Sequence, residues 1–175
     1  MELKRKYKIL VSAPYMQLEI DRFRKFFTDN NIDIEIPQVA ERMGEGELTK
    51  IISSYDGVIS GDDEFTQRVL DEAKKLRVIS KWGTGIDSID KEYAERIGIR
   101  VYNTPNAFSQ PVSDTVMAYV LGFAREIVMS DKKVRALNWS KIKCYSLDEQ
   151  VLGIIGLGNC GTAVARKAKA FGMKI

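Results

Sequence analysis

Three glycines near the end of the chain stand at a spacing suited to phosphate. In "VLGIIGLGNCG", Gly156, Gly158 and Gly161 form G-x-G-x-x-G, directly after an apolar run and before the helix-forming "TAVARKAKAF". Gly156 permits a tight turn out of a strand, Gly158 lets a pyrophosphate approach the main chain with no Cβ in the way, and Gly161 lets helix and strand pack closely. The free amides and positive dipole end of the helix then face the phosphates. A simple glycine-rich connection has the same residues; the strand–turn–helix context is what favours dinucleotide binding. The acid that binds ribose hydroxyls belongs about 20 residues further on. "MKI" begins that strand and Ile175 is the last residue, so NAD and NADP both stay open.

A second loop, "SKWGTGIDSID" (80–90), also offers main-chain amides. Gly83 and Gly85 flank Thr84, so a nest of N–H groups can turn toward a small anion, with Lys81 adding positive charge nearby. The competing reading is a tight turn beside a surface lysine. Other chemistry is restricted by what the chain lacks. His is absent, which removes the commonest general acid or base and the commonest metal ligand. Cys144 and Cys160 have neither a disulfide framework nor the paired spacing of a zinc site, so free thiols are expected and no metal.

The elements that must position these loops follow from alternation. Short Val/Ile-rich runs at 7–14, 33–37, 56–61, 77–82 and 99–103 read as strands, separated by helical stretches at 17–30, 46–55, 65–76 and "KEYAERIG". Asp90 is placed to accept from the first-turn amides of the last of these. In the 17–30 helix, Leu18, Phe23, Phe26 and Phe27 are expected toward the core. That order gives an α/β domain with a parallel sheet covered by helices on both faces, and puts the 80–90 loop at the C-terminal strand ends where ligands bind. "TPNAFSQP" (104–111) breaks the rhythm with two prolines. A long apolar helix is expected over 112–128, with Val116, Tyr119, Val120, Phe123 and Ile127 recurring at helical spacing and able to serve a domain junction or a subunit interface, and a polar helix over 131–139.

With 27 Lys plus Arg against 24 Asp plus Glu, the net charge of +3 is spread over a mixed surface, which argues against nucleic acid as a partner. The start "MELKRKYKILVSA" is basic, but its apolar run is too short for a signal peptide or a membrane span, so a cytoplasmic protein is expected.

From about residue 56 onward, "GVISGDDEFTQRVLDEAKKLRVISKWGTGIDSIDKEYAERIGIRVYNTPNAFSQPVSDTVMAYVLGFAREI" and "LGIIGLGNCGTAVARKAKAFGMKI" resemble the D-isomer-specific 2-hydroxyacid dehydrogenases, and among them the 3-phosphoglycerate dehydrogenase-like branch. The resemblance implies a flavodoxin-like substrate domain over 1–104, lacking a C-terminal return segment, and over 105–175 the first β-α unit of a Rossmann NAD-binding domain. It implies that the amides of Gly83, Thr84 and Gly85, with Lys81 beside them, hold the carboxylate of a small 2-hydroxy or 2-oxo acid. By the same likeness Thr84 also touches the cofactor, Gly156, Gly158, Asn159, Cys160 and Gly161 lie along its pyrophosphate, and the long helix joins a homodimer interface.

Two departures bear on substrate and activity. "SGDD" (60–63) stands where many relatives present an Arg-Ser pair, and Asp62 or Asp63 there repels an anionic substrate unless turned away. The family's catalytic Arg, Glu and His fall beyond residue 175, so no catalytic residue is assigned. The chain reads as a truncated dehydrogenase that is inactive as given. The alternative is a non-catalytic NAD-sensing or receiver-like binding module, although "VSAPYMQ" lacks the acidic pair that a receiver needs for magnesium.

Overall fold

A computed structural model describes residues 6–175. The first five residues, part of the basic N-terminal run read above, lie outside the described residues. The chain divides into two compact units at the Pro105–Asn106 bond.

The first unit is a five-stranded, wholly parallel sheet. Its strands are β1 (Tyr7–Val11), β2 (Ile32–Glu35), β3 (Gly57–Ser60), β4 (Val78–Lys81) and β5 (Arg100–Tyr102), in spatial order β2-β1-β3-β4-β5. This is the flavodoxin-like order, whose reversal of direction beside β1 gathers the loops after β1, β3 and β4 at one edge. Registers such as Leu10↔Val58 and Val58↔Ile79 line apolar side chains across neighbouring strands. Period two then sorts them between the faces. Leu10, Val58 and Ile79 pack under α3 (Glu45–Ile51), α4 (Gln67–Glu72) and α5 (Lys91–Arg96), where Leu48, Val69, Leu70 and Ala94 are buried. Val11 and Ile59 face the other side, with Met16 and Phe27 of α1 (Pro14–Leu18) and α2 (Arg24–Asp29).

The helix expected over 17–30 is broken. Pro14 starts α1, a 3-10 turn spans Ile20–Arg22, and α2 follows. Phe27 is buried and Phe23 half-buried, but Leu18 is 81% and Phe26 59% exposed, so only part of the expected apolar face is used. The 3-10 turn at 20–22 interrupts the 3.6-residue period on which that face was read. Asp90 caps α5 as expected, accepting from the Tyr93 amide at 3.0 Å.

The second unit, Asn106–Ile175, is built on α6 (Ser109–Ala124), α7 (Ile127–Arg135) and α8 (Asn159–Ala170). Helix α6 begins before the expected residue 112, taking Pro111 into its first turn, where a missing N–H costs nothing. It also ends early. The Ala124 carbonyl accepts the Tyr145 amide at 2.9 Å, and Glu126 turns left-handed at φ +50° before α7 starts. The interior of the unit joins Met117 with Val164, Ala168 and Met173. Lys167 of α8 fastens α6 by donating to the Gln110 carbonyl (3.1 Å), Ser113 Oγ (2.7 Å) and Asp114 Oδ1 (2.5 Å). The strand expected before the glycine turn pairs only at a parallel Val151↔Lys174 bridge, because within the unit no other segment runs alongside it. Among the described residues no helix is long and apolar enough to cross a membrane.

Candidate functional site

The loop after β4 is held from both flanks. The Trp82 amide donates to the Ser60 carbonyl of β3 at 2.8 Å. From beyond β5, the Thr104 amide donates to the Gly83 carbonyl (2.8 Å), Asn103 Nδ2 donates to the Thr84 carbonyl (2.7 Å), and Thr84 Oγ1 donates to the Thr104 carbonyl (2.9 Å). The bonds from Asn103, Thr84 and Thr104 use carbonyls and a hydroxyl and leave the amides of Gly83 to Gly85 alone. Among the described residues, no acceptor pairs with the N–H groups of Gly83, Thr84 or Gly85. Three successive free donors at a C-terminal strand end match what a carboxylate needs. Asn103 and Thr104, which fix their orientation, were not singled out by the sequence; the signal was their place after the strand next to β4.

Lys81 has another environment. It is 5% exposed, and its ammonium donates to the Gly61 carbonyl at 2.6 Å and pairs closely with Asp62. Its charge is therefore partly spent inside the sheet edge.

The two acids of "SGDD" take opposite roles. Asp63 is fully buried and accepts from Ser12 Oγ (2.5 Å), Ser60 Oγ (2.9 Å), the Gly61 amide (3.2 Å) and the Met43 amide (2.7 Å). It ties the ends of β1 and β3 to the loop before α3. Asp62 points out, its side chain 77% exposed, and pairs with Lys81.

In the second unit, the three glycines answer separate tests. Gly156 sits at φ +88°, a conformation that costs an L side chain about 1–2 kcal/mol. A Cβ on Gly161 would lie 2.1 Å from the Gly156 carbonyl oxygen, so strand end and helix touch there. Gly158 differs: its φ of −74° is ordinary and a Cβ would meet no protein atom within 4 Å. Neither backbone nor packing within the chain explains a glycine at 158, whereas a diphosphate lying against its main chain does. Gly158 is also the N-cap of α8, twelve residues long, and no side chain caps that end. Asn159 and Cys160 open the helix and are exposed, and the Cys160 thiol is free. Donors and space together fit the diphosphate of a dinucleotide.

Known proteins resemble the chain along nearly its whole length. The family model described as the catalytic domain of D-isomer specific 2-hydroxyacid dehydrogenases matches residues 9–170. Hydroxypyruvate reductase of Thermotoga maritima is 33% identical over 173 residues, covering 97% of this chain and 54% of that protein. D-3-phosphoglycerate dehydrogenase of Methanocaldococcus jannaschii is 37% identical over 141 residues, 79% of this chain and 27% of the other. Among solved structures, the D-lactate dehydrogenase of Aquifex aeolicus complexed with NAD and lactic acid superimposes with a TM-score of 0.79 over 95% of this chain and 49% of that one; at 23% identity this speaks to fold alone. The chain spans about half the length of the curated relatives it matches most fully. With nearly its whole length matched, the chain belongs to the D-isomer-specific 2-hydroxyacid dehydrogenase family.

Proposed function

We propose that the chain is the acid-binding and diphosphate-binding part of a nicotinamide-dependent oxidoreductase acting on small 2-hydroxy or 2-oxo acids. The observation that carries this reading is Gly158, a glycine that no contact within the protein requires, at the uncapped start of α8. Bound there, NAD or NADP would supply hydride exchange with the 2-carbon of the acid. The amides of Gly83, Thr84 and Gly85 hold the carboxylate and so fix the direction in which that carbon points. Asn103 and Thr104 hold the cradle rigid, and Lys81 raises the local potential without offering a free charge. The chain has no histidine to move the hydroxyl proton, so the 175-residue chain alone is expected to give no steady NAD-dependent rate.

Helix α6 and the start of α7 expose Tyr119 (67%), Phe123 (81%) and Ile127 (52%), and we assign this face to contact with a second copy. The test of the main reading is a titration of the labelled chain with NAD, followed by amide NMR. Shifts at Asn159, Cys160 and Gly161 that disappear in a folded Gly158→Val variant support it. Equal NAD binding by wild type and variant removes its basis.

A further inference from the structure

The first unit holds a recess outside the cradle. A cavity of about 480 Å³ opens between the starts of α4 and α5, beside the start of α3. Phe65 and Ile89, both buried and joined as bridge partners, give it an apolar wall. Most of the polar groups around it are already engaged. Glu45 pairs with Arg68 through Oε1 (3.1 Å) and accepts from Thr66 Oγ1 through Oε2 (2.7 Å), and Asp90 accepts the Tyr93 amide.

Two neighbouring residues of the lining are not engaged. Asp87 is exposed, and its carboxylate has neither an ion pair nor a hydrogen bond among the described residues. Its Oδ2 lies 3.6 Å from where a Cβ of Gly85 would stand, so that residue leaves it uncrowded. Ser88 Oγ is the one buried side-chain oxygen or nitrogen among the described residues that lacks a partner. Buried hydroxyls are as a rule paired, so an unmet one beside a cavity suits a group that enters there.

Charge decides which group. Glu45, Asp87 and Asp90 line the cavity with a single cation, Arg68, an excess of two negative charges that disfavours an anion. A metal ion is poorly served, because among the described residues no three acids or thiols are gathered closely enough to hold one. An ammonium asks for less. Its compact head carries donors that a carboxylate and an adjacent hydroxyl accept, while a short carbon stem lies against the apolar wall. We propose that this cavity binds a small aliphatic amine in its ammonium form, held by the Asp87 carboxylate and the Ser88 hydroxyl. Its lining includes none of Gly83, Thr84 and Gly85, so the site stands or falls apart from the cradle.

The experiment titrates the labelled chain at neutral pH with butylamine, and separately with butanol, which keeps the stem and lacks the charge. Amide shifts of Gln67, Arg68, Ser88 and Ile89 are the readout. Butylamine is expected to saturate them at about ten-fold lower concentration than butanol. Asp87→Asn is expected to weaken butylamine about ten-fold and Ser88→Ala about three-fold, with butanol unaffected and a dispersed spectrum reporting an intact fold. The comparison of the two probes on wild type needs neither variant. Equal binding of amine and alcohol, or no shift with either, overturns the proposal. So does an Asp87→Asn variant that binds butylamine as wild type does. Potassium chloride at the same ionic strength is the remaining arm: if it reproduces the butylamine shifts, the cavity has only a diffuse negative field and no amine site.

Discussion

Alanine at Gly161 and alanine at Gly158 separate what the two glycines are for. At 161 the new Cβ would lie 2.1 Å from the Gly156 oxygen and 3.2 Å from its carbonyl carbon, both backbone atoms that cannot rotate aside. To restore ordinary contact, the start of α8 must retreat by about 1 Å. The helix is not free to do so, because Ala163, Val164 and Ala168 are buried and Lys167 is bonded to α6. Overpacking of this kind costs about 1–3 kcal/mol, a clash this deep against rigid backbone lies at the upper end, and the better helix propensity of alanine returns at most about 1 kcal/mol, leaving a net loss of about 2 kcal/mol. For a unit the size of Asn106–Ile175 that lowers its melting temperature by roughly 5–15 °C. It also speeds globally limited amide exchange in α8 about thirty-fold. At 158 the same substitution meets nothing and keeps an allowed φ, so it loses only the N-cap preference of glycine over alanine, at most about 1 kcal/mol. Hydrogen exchange resolved to α8 is the better assay, since a two-unit chain need not melt in one step. Wild-type exchange in Gly161→Ala, or a larger stability loss in Gly158→Ala than in Gly161→Ala, would show that the turn is packed otherwise than described.

Asp63→Ala takes the acceptor from the Met43 amide and leaves the Ser12 and Ser60 hydroxyls only the carbonyls of Ile59 and Gly61, and a loss of about 3–5 kcal/mol is expected in chemical denaturation. A cost near zero would mean that the buried carboxylate does not organise the strand ends. The first unit should also lose stability at both extremes of pH. Hydrogen bonds from Lys8, then Tyr55, hold Glu35 below its usual 4.5, so this contribution is present above that value and disappears as the pH falls through the lowered one. Burial, then the bond to Glu35, pushes Tyr55 well above 10, so its contribution is intact below pH 10 and fades as the pH climbs beyond. Unfolding midpoints followed against pH in wild type and Glu35→Gln check both limbs, and a variant with unchanged acid dependence would contradict them. Phe123→Glu, on the exposed face of α6, is expected to convert a dimer to a monomer in sedimentation; a wild-type chain that sediments as a monomer would count against the assigned interface.

How much of this was legible in the sequence depends on how local each cause is. The parallel sheet was, because alternation of Val/Ile runs with charged helical stretches leaves few topologies. So was the Asp90 cap, whose partner is three residues away. The end of α6 was not, since it is set by Tyr145, whose amide takes the Ala124 carbonyl from twenty-one residues downstream. Nor was the exposure of Phe26 and Leu18, decided by a 3-10 turn that the apolar spacing does not encode. The adjacent acids of "SGDD" make the same point at the site. Nothing in the dipeptide says which one is buried. Asp63 is, because the hydroxyls of Ser12 and Ser60 and the amide of Met43 converge there from three separate segments, and none is adjacent to it in sequence. Once those donors claim Asp63, the bend at 61–62 leaves Asp62 exposed and paired with Lys81. Which acid stays exposed is therefore a consequence of how the loop before α3 meets the end of β3, and it follows Met43 and Ser12 as much as Asp62 itself.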